Sequence, residues 1–183
     1  IPNDYFLGGI DMIADDTISF VKKDILIFGI SVTVFLIVVL FIIFRSLKWV
    51  FVPLISTGYA IVIMIGLIGF FKWEITAISS NFISLMLILS ISMNIHIINR
   101  YKINYSNSNN DRSTILSLTM KNMFYPCLYT ALTTIVAFGS LLFSDIKPVI
   151  DFGKVMIVAL TVIFISSFTI LPLAISLFPK INE

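Results

Sequence analysis

Charge is scarce in this sequence. Asp, Glu, Lys and Arg make up 12% of its 183 residues, against 58% hydrophobic residues, and the mean hydropathy is +1.06. A soluble core of that size could not hide so much apolar surface, so the expected solvent is largely lipid. Cysteine is almost missing. Cys127 stands alone, which rules out an internal disulfide and leaves the redox compartment unread. Histidine is equally rare, with His96 the single one. No Cys/His cluster has metal-ligand spacing and no glycine-rich phosphate loop is present, so neither a metal nor a cofactor is implied. No basic block interleaves with aromatics, which removes nucleic acid as a partner. A Ser/His/Asp triad is not indicated either, because the histidine lies in a run without any acid; a non-enzymatic role is expected. No secretory leader pattern is visible. The sequence opens on Ile1 rather than methionine, so a piece of a longer or processed chain is expected.

What is present is a set of five uncharged runs, each long enough for a helix to cross a bilayer. They cover 25–44, 49–71, 75–99, 122–144 and 155–178, and they predict an all-α, polytopic membrane protein with five transmembrane helices. Pro53 and Pro126 are expected in first turns, where a missing N–H costs little, and Pro172 late in the fifth run. Residues 1–24 differ. Ile10, Ile13, Thr17 and Val21 recur at helical spacing, with Asp11, Asp15 and Asp16 early and Lys22 and Lys23 late. That order suits a helix dipole and predicts a short interfacial amphipathic helix leading into the first run. Residues 101–121 hold "NYSNSNNDRS" and read as the one long loop, with Asp111 or Ser113 as a cap for a short helix before the fourth run. Residues 179–183 form a tail. Seven of the basic residues fall on the side of that loop and five on the other, which places the loop and the C-terminus in the cytoplasm and the N-terminus outside.

Two of the runs carry polar stripes. On a helical wheel Asn81, Ser84, Ser92, His96 and Asn99 share one face of the third run, while Ser90 and Asn94 fall elsewhere. On the fourth run Asn122, Pro126, Cys127, Thr130, Thr133, Thr134, Ala137, Ser140 and Ser144 share a face. The two runs are antiparallel neighbours, and depth counting sets Ser92 near Thr130, with His96 about one turn nearer the cytoplasm. Ser92, His96, Asn99, Thr130, Thr133 and Thr134 are therefore the candidates for a polar interior or a proton relay. The plainer reading of such stripes is close helix packing through small and hydroxylated residues. An intramembrane histidine points to function, yet His96 is four residues from Arg100 and also fits an interfacial structural role. Cys127 reads as a small packing residue, and Trp49 and Trp73 as interface anchors.

Three stretches resemble a known family. "FRSLKWVFVPLIS" (Phe44–Ser56) is similar to the turn between the second and third helices of resistance–nodulation–division (RND) exporters. "IHIINRY" (Ile95–Tyr101) resembles the "IHLLSRY" pattern ending their fourth helix. "YTALTTIVAFGSLLFSDIKPVIDFG" (Tyr129–Gly153) resembles their fifth helix and the following loop. The nearest likeness is to the lipid-transporter, MMPL-like branch, and the same five-helix unit is called a sterol-sensing domain in eukaryotic relatives. The resemblance implies the second to sixth helices of one repeat half, in the inner membrane of a bacterium. It also implies a second repeat and periplasmic domains elsewhere in the protein, with residues 1–24 leaving such a domain. The implied activity is proton-driven export of a lipid or other hydrophobic substrate, with the bilayer and that substrate as partners and a homo-oligomer left open. The alternatives are a lipid- or sterol-sensing module or a scaffold without transport. One departure stands out. The family often carries a proton-coupling aspartate three or four residues before the motif histidine. Those positions here are Met93 and Ser92, and the third run has no acid.

Overall fold

A computed structural model describes residues 10–73, 81–106 and 111–177. Five α-helices follow in chain order: α1 (Ile10–Phe44), α2 (Leu47–Phe71), α3 (Phe82–Ser106), α4 (Arg112–Gly139) and α5 (Lys147–Leu177), with a 3₁₀ turn at Ser140–Phe143 between the last two. No strand occurs among the described residues. All five helices are long and apolar enough to cross a membrane.

The helices run further than the uncharged runs. α1 is continuous over 35 residues, about 50 Å, so the amphipathic segment extends the first span without a break. The starting residues of the expected 1–24 unit lie outside the described residues, as do the side chains at Ile10, Ile13, Thr17 and Val21. The long loop 101–121 is corrected. α3 continues to Ser106 and α4 starts at Arg112, because Tyr101 at one end and Ile115 and Thr119 at the other are buried and draw these turns into the bundle. Hydropathy ends a span where charge begins, whereas backbone hydrogen bonding continues while one face still packs. For the same reason α5 begins at Lys147, eight residues before its uncharged run. Asp111 is the N-cap of α4, without a side-chain cap bond. Pro53 and Pro126 lie inside α2 and α4, not in their first turns. The expected start of the third run at Ile75 and the tail 179–183 lie outside the described residues.

The joints are set locally. Arg45 (φ 49°) ends α1 and Lys72 (φ 52°) ends α2, both left-handed. At the second joint the Lys72 N–H bonds Gly69 O at 3.3 Å and the Trp73 N–H bonds Ile68 O at 3.1 Å, a Schellman closure of the freed carbonyls. α5 is the central helix, packed on α2, α3 and α4. Phe124 of α4 meets Phe164 and Phe168 of α5 at ring separations of 5.6 and 5.4 Å. Nearer the other end Phe138 meets Phe152 at 5.8 Å. Gly153 makes the tightest approach: a Cβ there would lie 2.9 Å from the Phe138 carbonyl oxygen. At the end holding the α3–α4 connection, the Lys102 ammonium sits 5.0 Å from the Phe44 ring and 5.4 Å from the Trp49 ring. Trp49 in turn lies 6.0 Å from Tyr101. The apolar flanks of α1 and α4 face outward, with Phe35, Ile42, Tyr129 and Val136 all strongly exposed. That suits contact with acyl chains or further helices.

Candidate functional site

Polar side chains gather in two places. The first is a groove of about 320 Å³ between α3, α4 and α5. α3 contributes Leu89, Ser92, Met93 and His96; α4 contributes Met123, Pro126, Cys127, Thr130, Ala131 and Thr134; Leu160 and Ile163 of α5 form the remaining wall. The spacing of these residues by three and four along α3 and α4 brings each set onto one helix face. Its lining is mostly apolar, and no carboxylate takes part.

Of the six candidates, the structure brings Ser92, His96, Thr130 and Thr134 together in this groove. Asn99 and Thr133 are exposed and lie outside it. The polar face read on the third run also divides. Ser84 is buried at 4% exposure, whereas Ser92, His96 and Asn99 are exposed.

The threonines answer a question of cost. Thr130 Oγ1 donates to Pro126 O at 3.0 Å, Thr133 Oγ1 to Thr130 O at 2.9 Å and Thr134 Oγ1 to Thr130 O at 2.8 Å. Each hydroxyl proton is spent on its own helix, so these residues can face an apolar medium at small expense. Their oxygen lone pairs remain free to accept. Pro126 lacks an N–H, and the Thr130 hydroxyl lies against its carbonyl. Ser92, His96 and Asn99 form no such bond with any described residue, so their polar atoms are the ones available to a ligand or a neighbouring helix.

The second place is a buried layer between α2, α3 and α5, which face sorting passed over. Thr57 and Ser90 share a hydrogen bond of 2.8 Å between their hydroxyls. Asn94 Nδ2 donates to the Pro53 carbonyl and to Thr57 Oγ1, both at 3.4 Å. Ser166 Oγ donates to Ser56 O at 2.9 Å. Ser56, Thr57, Ser90, Asn94, Ser166 and Ser167 are all at most 2% exposed. Asn94 Oδ1 and Ser167 Oγ have no hydrogen-bond partner among the described residues. The available signal was the adjacent hydroxyl pairs Ser56–Thr57 and Ser166–Ser167 in the second and fifth runs, which match Ser90 and Asn94 as a second stripe.

The buried layer fixes how α3 is turned. With Ser90 and Asn94 held against α2, the helical repeat swings Ser92 and His96 toward α4. The groove is thus an apolar slot within the spans, edged by an imidazole, a serine hydroxyl and self-bonded threonines. Its lining suits a hydrophobic molecule with a small polar group.

No curated protein matches the chain. A family model, that of the MMPL family, matches residues 4–181, nearly the whole sequence. With five membrane-spanning-length helices and these motifs, the chain belongs to the MMPL family, whose transmembrane region is of the RND superfamily type.

Proposed function

We propose that this chain is the membrane domain of an RND-type secondary transporter that exports a lipid or other hydrophobic substrate, energised by the proton gradient. The observation that carries this reading is the groove between α3, α4 and α5, apolar in its walls and edged by Ser92, His96, Thr130 and Thr134. His96 is the proton-exchanging group in it, and Ser92 and Thr130 accept or pass a hydrogen bond. Asn99, Thr133 and the exposed edge of Ser92 and His96 form the face that a second repeat of the same protein would cover, since lipid covers such groups poorly. The protein would sit in a bacterial inner membrane with its N-terminus periplasmic and its C-terminus cytoplasmic.

The test is proton-dependent efflux by the full-length protein carrying His96→Ala or Ser92→Ala. The expected result is a shifted pH profile for His96→Ala and slower export for both. An unchanged pH dependence in both variants overturns the relay.

A second reading is favoured by one feature, the lack of any carboxylate in the groove. A lipid-sensing module needs no coupling acid. Saturable lipid binding with no gradient-driven transport by the full-length protein would select it over export.

A further inference from the structure

A hollow of about 660 Å³ opens at the bundle end that holds the α3–α4 connection, between the start of α4 and the end of α5. It shares no residue with the α3–α4–α5 groove. Its walls change character with depth. Arg112, Ser113 and Ser176 line the outer part, and Leu116, Met120 and Pro172 the inner part, toward the middle of the spans. Arg112 to Met120 covers about 12 Å along the α4 axis. α5 runs the other way. The Arg112 guanidinium donates to the Ile175 carbonyl, so Ser176 stands level with Arg112 and Pro172 lies about one turn deeper. Polar outward and apolar inward is the order of a phospholipid set in its leaflet, and basic clefts between spans hold such headgroups.

The polar atoms select the headgroup. Arg112 presents a guanidinium, which only donates and suits a phosphate. Ser117 also lines the hollow. Its Oγ donates to Thr114 O at 2.9 Å, and Ser176 Oγ donates to Leu173 O at 2.7 Å. Both protons are spent, so toward the hollow these hydroxyls accept. Asp111 is a further wall residue. Its carboxylate makes no cap bond on α4 and, among the described residues, is in no ion pair. One cation beside one anion fits a zwitterion that carries a phosphate and a primary ammonium. Those groups stand two carbons apart in a phosphoethanolamine head, and Asp111 and Arg112 are neighbours in the chain, with Cα atoms about 3.8 Å apart. A choline head has no N–H to give to these acceptors. A phosphoglycerol head brings negative charge alone, which Asp111 opposes.

We propose that this hollow holds one phosphatidylethanolamine-type phospholipid, with its phosphate on Arg112, its ammonium on Asp111 and its chains along Leu116, Met120 and Pro172. Ser113 adds a hydroxyl beside the phosphate, and Ser117 and Ser176 supply further acceptors. The site lies away from the proposed export groove, so this lipid is a resident that braces the start of α4 against the end of α5. It rests on the membrane reading of the chain and not on export.

The experiment is native mass spectrometry of the purified full-length protein in detergent, titrated at equal concentrations with dioleoyl phosphatidylethanolamine, phosphatidylglycerol and phosphatidylcholine. One ethanolamine lipid is expected to be retained at least fivefold over either of the others. Asp111 is exposed and makes no cap bond, so Asp111→Asn leaves the fold in place and should abolish the preference for ethanolamine over glycerol heads. Arg112→Gln should weaken retention of the ethanolamine lipid at least fivefold. Thr161→Ala, at an exposed position on α5, should change neither. Soluble phosphoethanolamine at the same concentration should not displace the lipid, because it lacks the chains. Equal occupancy by the three lipids, an unchanged preference in Asp111→Asn, unchanged retention in Arg112→Gln, or displacement by soluble phosphoethanolamine would each overturn the site.

Discussion

Thr57 shows how much can rest on one hydroxyl. It is 1% exposed, shares a 2.8 Å hydrogen bond with Ser90 and takes the Asn94 amide at 3.4 Å. Thr57→Val keeps the shape and removes both bonds. It should lower stability by about 1 kcal/mol, since hydrogen bonds between membrane helices contribute about 0.6 kcal/mol on average and stranded partners add to the loss. Denaturant unfolding in mixed micelles measures this, and a double-mutant cycle with Ser90→Ala should show coupling between the two sites. No coupling would mean the pair makes no energetic contact. Glycine gives a second contrast. At Gly153 a Cβ would meet the Phe138 carbonyl at 2.9 Å and Leu141 Cβ at 3.1 Å, whereas at Gly58 nothing lies within 4 Å. Gly153→Ala should therefore cost about 1–3 kcal/mol through overpacking. Gly58→Ala should stabilise α2 by up to about 1 kcal/mol through helix propensity. Thermal unfolding of the two variants should move in opposite directions.

At the scale of elements, the ends of α4 and α5 are joined by one side chain. Arg112, the first residue of α4, donates from its guanidinium to the Ile175 carbonyl in the last turn of α5. The bond satisfies a carbonyl that the helix itself leaves free, and a cation there also suits the negative end of the α5 dipole. Arg112→Gln shortens the reach and removes the charge. It should speed amide hydrogen exchange in 112–116 and 172–177 by several-fold while leaving the buried middle of α5 unchanged. Equal exchange at both ends would show that Arg112 does not hold them. The joint after α2 offers the reverse case. Lys72 adopts φ 52°, a left-handed conformation that costs a side-chain-bearing residue about 1–2 kcal/mol. Lys72→Gly should recover about 1 kcal/mol of that, read as a higher unfolding midpoint.

For the whole molecule, the two ends of the bundle differ in charge. Arg45, Lys48, Arg100, Lys102, Arg112 and Lys121 lie at the end of the α1–α2 and α3–α4 connections, where Asp111 is the acid among the described residues. At the opposite end Asp145, Asp151, Lys147 and Lys154 mix both signs, and Lys154 pairs with Asp151 at 3.3 Å. An unbalanced basic end is retained on the cytoplasmic side during insertion. A fluorescent protein inserted after Ser106 should therefore fold and fluoresce, and a periplasm-dependent phosphatase fused after Asp145 should be active. The opposite pattern would invert the proposed orientation.

The sequence by itself determined the solvent, the number of spans and the family. Twenty-residue apolar runs and a short set of ordered motifs are local features, and lipid leaves a helical chain no other way to satisfy its backbone. It also put Ser92 and His96 on one helix face and Thr130 and Thr134 on another, because the helical period is fixed. Helix ends were less legible: Tyr101, Ile115 and Thr119 extend α3 and α4 into a segment that composition marks as loop, since burial against a neighbour outweighs local polarity. The tertiary structure alone decided which polar residues are buried. Ser90 and Asn94 looked like leftovers on the wheel until Ser56 and Thr57 of α2 and Ser166 and Ser167 of α5 closed around them, and a wheel drawn for one helix holds no information about its neighbours. The groove is decided in the same way: Met93, His96, Met123 and Cys127 are ordinary residues along the chain, and only the packing of α3 and α4 against α5 gives them a common space.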